Sequence, residues 1–239
     1  MVDFSESRLE ALITILDYSL HDRLEDTFKE CNIPLTIVTP GQGSAKSVIY
    51  EILGYGGPRK IVALSLLTNH MANHVMEQLD KNLDLSKPGT GIACTVSLSS
   101  VTSTVSTLLQ EADENMEMGS EDMSVAPKEQ YHLIVSVVNT GHFDQVMDAA
   151  KRAGATGGTL VHARGLGSKE AIKYLGITIQ PEKDLVLIVA PQKQKRAIME
   201  AITGEVGLTT AGKGICFSLP VNNIIGLGTN LEKIEEASK

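Results

Sequence analysis

Gly207-Leu208-Thr209-Thr210-Ala211-Gly212-Lys213-Gly214 falls one residue short of the phosphate-loop pattern G-x-x-x-x-G-K-[ST]. A glycine-rich turn carrying one lysine can cradle a phosphate through backbone N–H groups. Gly214 stands where the pattern needs the Ser or Thr that holds Mg²⁺, and the segment runs from a helical pattern into a strand pattern, the reverse of the strand-to-helix context of nucleotide hydrolysis. Phosphate binding without phosphoryl transfer is the chemistry such a loop can do. A second glycine turn, Gly165-Leu166-Gly167, leads into Ser168–Gly176, which starts with a capping residue and ends in glycine as a two-turn helix would. Free N–H groups and the positive end of a helix dipole would meet there, a second place for an anion. The plainer reading is that these glycines let the chain turn from strand into helix.

Each turn has a counterpart in the first half of the chain. Gly41-Gln42-Gly43-Ser44 recurs as Gly165-Leu166-Gly167-Ser168, Gly89-Thr90-Gly91-Ile92 recurs as Gly212-Lys213-Gly214-Ile215, and Pro58 with Pro181 keeps the same interval. The chain is one domain written twice.

The elements that must position these turns follow from hydrophobic spacing. In the second repeat Leu133–Val138 is short and β-branched and reads as a strand. Phe143, Val146, Met147 and Ala150 fall at helical spacing, with Gly154 as a left-handed stop. Gly158–Ala163 and Leu185–Ala190 are strands, Gln192–Thr203 is a helix stopped by Gly204, and Ile215–Leu219 is the last strand. In the first repeat the same order runs through Ala11–Asp17, Leu20–Cys31, Thr36–Val38, Lys60–Leu67, Asn69–Leu83 and Ile92–Leu98. A second short helix, Ser44–Gly54, parallels Ser168–Gly176. The expected fold class is therefore α+β, two tandem ferredoxin-like βαββαβ domains, each sheet with both helices on one face. The reading divides the chain into residues 1–101, an acidic Ser-, Glu-, Asp- and Met-rich linker 102–130 with room for one short helix, and residues 131–239.

Composition narrows the partners. The 239 residues carry a formal charge of -8, unlike a surface built to displace counterions from nucleic acid. No apolar run reaches membrane-spanning length and the first residues lack a basic region followed by an apolar one, so a soluble, cytoplasmic protein is expected. Cys31, Cys94 and Cys216 are too scattered for a disulfide framework or thiolate metal site and read as small buried hydrophobes. His70 and His74, four apart on one helix, could share a metal, but the second repeat has Lys193 and Ala197 there and a solvated face is the simpler reading. His21 and His142 each open a first helix, where a neutral, hydrogen-bonding imidazole fits. No nucleophile elbow, HExxH motif or recurring His–carboxylate pair points to an enzyme.

The segment Gly154-Ala155-Thr156-Gly157-Gly158-Thr159-Leu160-Val161-His162-Ala163-Arg164-Gly165-Leu166-Gly167 resembles the approach to the long mobile loop of P-II nitrogen-regulatory proteins, with its G-x-T-G-x-T core and closing G-x-G. Gly212–Val221 is similar to that family's second glycine loop and the strand after it. The resemblance covers about residues 131–229, and residues 9–101 look like a diverged copy that has Pro34-Leu35-Thr36 in place of the Thr-Gly-x-Thr stretch.

That resemblance implies a non-enzymatic regulator that trimerises, binds effectors such as ATP, ADP or AMP in clefts between neighbouring domains and docks on a regulated protein, with no required cofactor. Carried over by position, the candidate effector-binding residues are Thr159, Gly165, Gly167, Gly212 and Gly214, with Arg164 and Lys213 as the basic groups beside them. The family's phosphate-directed arginine pair falls here on Gly226 and Gly228, and the lysine after its second glycine pair on Ile215. Loss of three cations weakens phosphate binding, since each charge-assisted contact is worth roughly 1.5–3 kcal/mol. The family's Gln and Lys for 2-oxoglutarate have no clear match, and Tyr50 and Tyr174, candidates for a modified loop tyrosine, sit at apolar helix spacing. A degenerate scaffold working by protein contacts alone, or a metal-binding trimeric ferredoxin-like protein, are the alternatives.

Overall fold

The computed structural model describes residues 8–44, 57–87, 89–116, 130–165 and 182–227. They fall into two compact units, the first within Met1–Thr39, Ile61–Lys128 and Val221–Lys239, the second within Pro40–Lys60 and Glu129–Pro220. The proposed helices 44–54 and 168–176 lie outside the described residues, Ser44 apart, as do Tyr50, Tyr174, Gly167 and Gly228.

In the first unit β1 (Leu9–Asp17) passes through a 3₁₀ turn, Tyr18–Leu20, into α1 (His21–Glu30). The turn forms because Asp17 accepts from the N–H of Ser19 at 3.1 Å, so α1 starts one residue later than its apolar spacing suggests. β2 (Thr36–Gly43), β3 (Arg59–Thr68), α2 (Asn69–Leu83) and β4 (Gly91–Leu98) follow. The strand order in this unit is β2, β3, β1, β4, with β2 represented by residues 36–39. Every second residue of β1 faces the helices, which puts Leu12 and Leu16 in one core with Leu24 and Phe28 of α1, Leu67 of β3, and Val75 and Leu79 of α2. Helix α2 runs from Asn69 to Leu83 as its periodicity predicts, because both ends are capped: Thr68 Oγ1 accepts from Met71 N at 3.1 Å, and Asp84 takes a left-handed φ of 53°.

The segment read as a linker carries more structure than its composition suggests. Ser103–Glu114 is a twelve-residue helix, α3, with Leu109 wholly buried, and Ala112 and Met116 rest on the first unit's core. His70 Nδ1 meets Asp113 Oδ1 at 2.8 Å, tying α3 to α2.

In the second unit β5 (Tyr131–Asn139), α4 (Phe143–Arg152), β6 (Thr159–Arg164), β7 (Glu182–Pro191), α5 (Gln192–Val206) and β8 (Ile215–Pro220) complete the repeat. The order is β8, β5, β7, β6, all antiparallel, and residues 42–43 of β2 pair on the far edge of β6. Both helices cover one face: Ile134, Val138, Val186 and Ile188 share a core with Val146 and Met147 of α4 and Ile198 and Ile202 of α5. Gly154 takes φ 102° just after α4, as the stop signal requires. Gly204 does not stop α5, which continues to Val206. Val206 lies one turn beyond Ile202 and is fully buried, so its packing outweighs the modest helix penalty of one exposed glycine. The last residues add β9 (Ile224–Ile225) to β4 of the first unit.

Candidate functional site

Antiparallel register gathers the chemistry of the second unit at one end of its sheet. Asn139, the last residue of β5, lies opposite Lys183, near the start of β7, and Lys183 lies opposite Ala163 of β6. Arg164 follows Ala163, opposite Glu182, and Gly165 ends the described stretch. Lys183 Nζ donates to Asn139 Oδ1 at 2.6 Å, and both residues are only 9% exposed. Asn139 is Lys183's sole acceptor among the described residues. Burial lowers the Lys183 pKa, because a desolvated ammonium is held less readily.

The same asparagine holds the second glycine loop. Its Nδ2 donates to Ala211 O at 2.9 Å and its backbone N–H to Gly212 O at 2.8 Å. Within the loop the N–H groups of Gly207, Thr210, Lys213 and Gly214 go to backbone carbonyls of Thr203, Gly207, Thr210 and Val206, and that of Gly212 to the Thr210 hydroxyl. Lys213 Nζ turns back to Leu208 O at 3.2 Å. The glycines have steric reasons as well: a Cβ on Gly214 would lie 2.5 Å from Val206 O, and one on Gly212 would lie 2.9 Å from Val206 Cβ. Three of these N–H groups and the lysine are thus engaged within the loop, and those of Gly207 and Gly214 on carbonyls of α5.

On the opposite face of β7, Asp184 is buried, and its two oxygens accept from Gly141 N at 3.1 Å and face His162 Nδ1 at 2.9 Å. This fixes the turn between β5 and α4 beside the loop.

The structure separates one predicted residue from the rest. Thr159 opens β6, opposite Leu187 and Gly43, while Arg164 closes it. Five strand residues span roughly 17 Å. Around Thr159, Ser44 Oγ accepts from Gly158 N at 2.9 Å, the Ser44 N–H donates to Gly158 O at 2.9 Å, and Lys151 Nζ reaches Ser44 O at 3.0 Å. The Gly43 N–H is likewise taken by Pro58 O. Arg164, Gly165, Gly212, Lys213 and Gly214 share one end of the sheet, Thr159 sits at the other, and Gly167 lies outside the described residues. Asn139, Lys183 and Asp184 went unnoticed in the sequence because their partners stand far along the chain. Only the β5–β7 register, which a strand boundary starting at Leu185 obscures, would have paired Asn139 with Lys183.

The two helix-opening histidines have local partners. His21 Nε2 lies 3.1 Å from Glu25 Oε1 and His142 Nδ1 2.6 Å from Gln145 Oε1, the hydrogen-bonding role expected of a helix-opening imidazole. Among the described residues no group of three His, Cys, Asp or Glu could hold a metal ion. Cys31 and Cys94 are buried and Cys216 is partly so, with burial pushing the Cys94 thiol up to about 12 and the other two to about 11. No helix among the described residues is long and apolar enough to cross a membrane.

Residues 131–230 match the family model of the nitrogen regulatory protein P-II. No curated protein matches the chain. Among solved structures it is similar to PII of Arabidopsis thaliana bound to citrate, at 22% identity over 40% of this chain and 79% of that one, TM-score 0.31. GlnK of B. subtilis in complex with ATP is 19% identical over 39% of this chain and 84% of that one, TM-score 0.30. The divalent ion tolerance protein CutA1 of Ehrlichia chaffeensis is 13% identical over 45% of this chain and 97% of that one, TM-score 0.34.

Proposed function

We propose that this chain, whose second repeat matches the P-II family, is a regulatory protein that binds a small anionic effector and passes its occupancy to a partner protein, in the manner of nitrogen signalling. The observation that carries the effector is Lys183, a buried ammonium whose one acceptor among the described residues is a neutral amide. An anion beside it supplies the missing countercharge, and Arg164, one residue beyond Lys183's cross-strand partner Ala163 and so based on the other face of the sheet, adds a contact only by reaching round the strand end. An adenine nucleotide is the leading effector class. The sheet end that gathers these groups is also where the family resemblance puts Gly165 and the second glycine loop.

The loop's internal bonding favours a second reading. With five N–H groups and Lys213 engaged within the loop or on α5, and glycine or Ile215 where the family places cations, the loop also fits a scaffold acting by protein contacts alone. Self-association into a homo-oligomer, a trimer by family analogy, belongs to both readings and draws support from Ile215 and Phe217, which stand exposed on alternate positions of β8.

Thermal unfolding in ATP, ADP, AMP and 2-oxoglutarate, on the parent, Arg164→Ala and Lys183→Met, separates the two. An effector at about 100 times its dissociation constant adds roughly 2.7 kcal/mol. A shift in the parent that both variants lose supports the effector reading, and no shift with any of the four supports the scaffold.

A further inference from the structure

We infer that His162 is a phosphoacceptor, taking a phosphoryl group on Nε2 from a small acyl phosphate. His162 and Asp184 stand directly opposite each other on β6 and β7, on the same face as the core residues Leu160 and Val186. Asp184 is buried and both its oxygens are used: Oδ2 accepts from Gly141 N at 3.1 Å and Oδ1 faces His162 Nδ1 at 2.9 Å. An ionised carboxylate only accepts, so the neutral imidazole carries its proton on Nδ1. The lone pair is then on Nε2, which has no partner among the described residues, on a side chain that is 72% exposed.

A carboxylate held against one ring nitrogen prepares the other to react. It fixes the tautomer and stabilises the imidazolium that forms. Nε2 attacks phosphorus, the P–O bond to the acyl group breaks, and its electron pair leaves on the released carboxylate. The Nδ1 proton stays in place, and the new positive charge on the ring faces Asp184. Arg164 lies two residues further along β6, opposite Glu182, so its side chain starts on the same face and is placed to meet the phosphoryl oxygens. A metal is the other use of a carboxylate-held imidazole, but no third ligand completes such a site among the described residues.

The duplication supplies an internal comparison. By the intervals from Gly41 to Gly165 and from Pro58 to Pro181, the first repeat has Val38 where the second has His162, and Ile61 where it has Asp184. Strands β2 and β3 form without either polar residue, and the two occur together in the one repeat that has them. Among the other described histidines, His21 and His132 spend Nε2 on Glu25 and Gln192, with Nδ1 buried. His70 comes nearest, since its Nδ1 meets Asp113, but the Asp113 side chain is 19% exposed against 2% for Asp184. A carboxylate open to water stabilises a neighbouring imidazolium less.

The test is incubation of the full chain with 32P-labelled acetyl phosphate, for the parent, His162→Gln, His70→Gln and Asp184→Asn. The label is checked for the acid lability and alkali stability of a phosphoramidate and mapped to its peptide. The parent and His70→Gln are expected to take up the label, His162→Gln to lose it, and Asp184→Asn to take it up several-fold more slowly. No label on the parent, a label that survives in His162→Gln, or one spread evenly over the histidines overturns the inference. So does labelling of Asp184→Asn at the parent's rate, which would leave the pair as a tie between strands. Should Asp184→Asn fail to fold, 15N NMR of the parent's His162 ring decides: a neutral ring protonated at Nδ1 supports the site, and one protonated at Nε2 overturns it.

Discussion

Lys183 and Asn139 are bonded at 2.6 Å across adjacent strands, and the asparagine that accepts this ammonium also clasps the loop carrying Gly212 and Gly214 through Ala211 O and Gly212 O. One side chain therefore couples the buried charge to the loop. Asn139→Ala leaves the ammonium and the Ala211 carbonyl without their partner and is expected to cost about 1–3 kcal/mol in urea unfolding. Amide exchange should rise in residues 207–214 before it rises in β5.

The buried lysine also predicts a pH dependence. The folded chain binds the Lys183 proton less readily than the unfolded chain, so between the lowered pKa and the ordinary value of 10.5 the unfolded state carries more protons. Stability contributed by this site rises with pH across that window. Urea unfolding of the parent and Lys183→Met should show the parent gaining on the variant as pH climbs toward 10.5. A difference that stays flat would mean the ammonium is not destabilised by folding.

Two glycines of similar appearance should respond in opposite directions. Gly204 lies inside α5 with open space where a Cβ would go, so Gly204→Ala is expected to stabilise by about 0.5–1 kcal/mol. Gly214→Ala drives its Cβ against Val206 O and Val138 and should cost about 1–3 kcal/mol. Thermal unfolding of the pair checks both.

These residues also mark how far the sequence could be read. Strand order, helix faces and the 69–83 helix were legible because hydrophobic period and caps agree locally, as at Thr68 and Asp84. Gly204 misled because a propensity signal yielded to the burial of Val206. The strand expected at Thr36–Val38 runs on to Gly43, with Gln42 and Gly43 paired to β6 in the second unit, a pairing that local spacing does not reveal. The glycine loop was visible, but its tie to Asn139 depends on a contact across roughly seventy residues of chain.

Helix α3 gives a contrast within one dipeptide. Leu109 is fully buried and Leu108 is 41% exposed. Leu109→Ala should cost about 2–5 kcal/mol and Leu108→Ala no more than about 0.5 kcal/mol, measured by chemical unfolding. Equal effects would detach α3 from the first unit's core.

Self-association should depend on β8. Phe217→Lys adds charge to an exposed strand position and is expected to lower the solution mass read by light scattering while leaving the melting transition cooperative. An oligomer of unchanged mass would remove this face from the assembly.

The placement of Val221–Leu227 in the first unit has a consequence for how the molecule is made. The first unit starts to emerge from the ribosome first, yet it needs Asn222, Asn223 and β9 to finish its sheet, and these are translated after the entire second repeat. The repeat synthesised last can close before the one synthesised first. A gene cut between the repeats would therefore yield an amino-terminal product lacking its final strand, so the two units cannot be inherited apart.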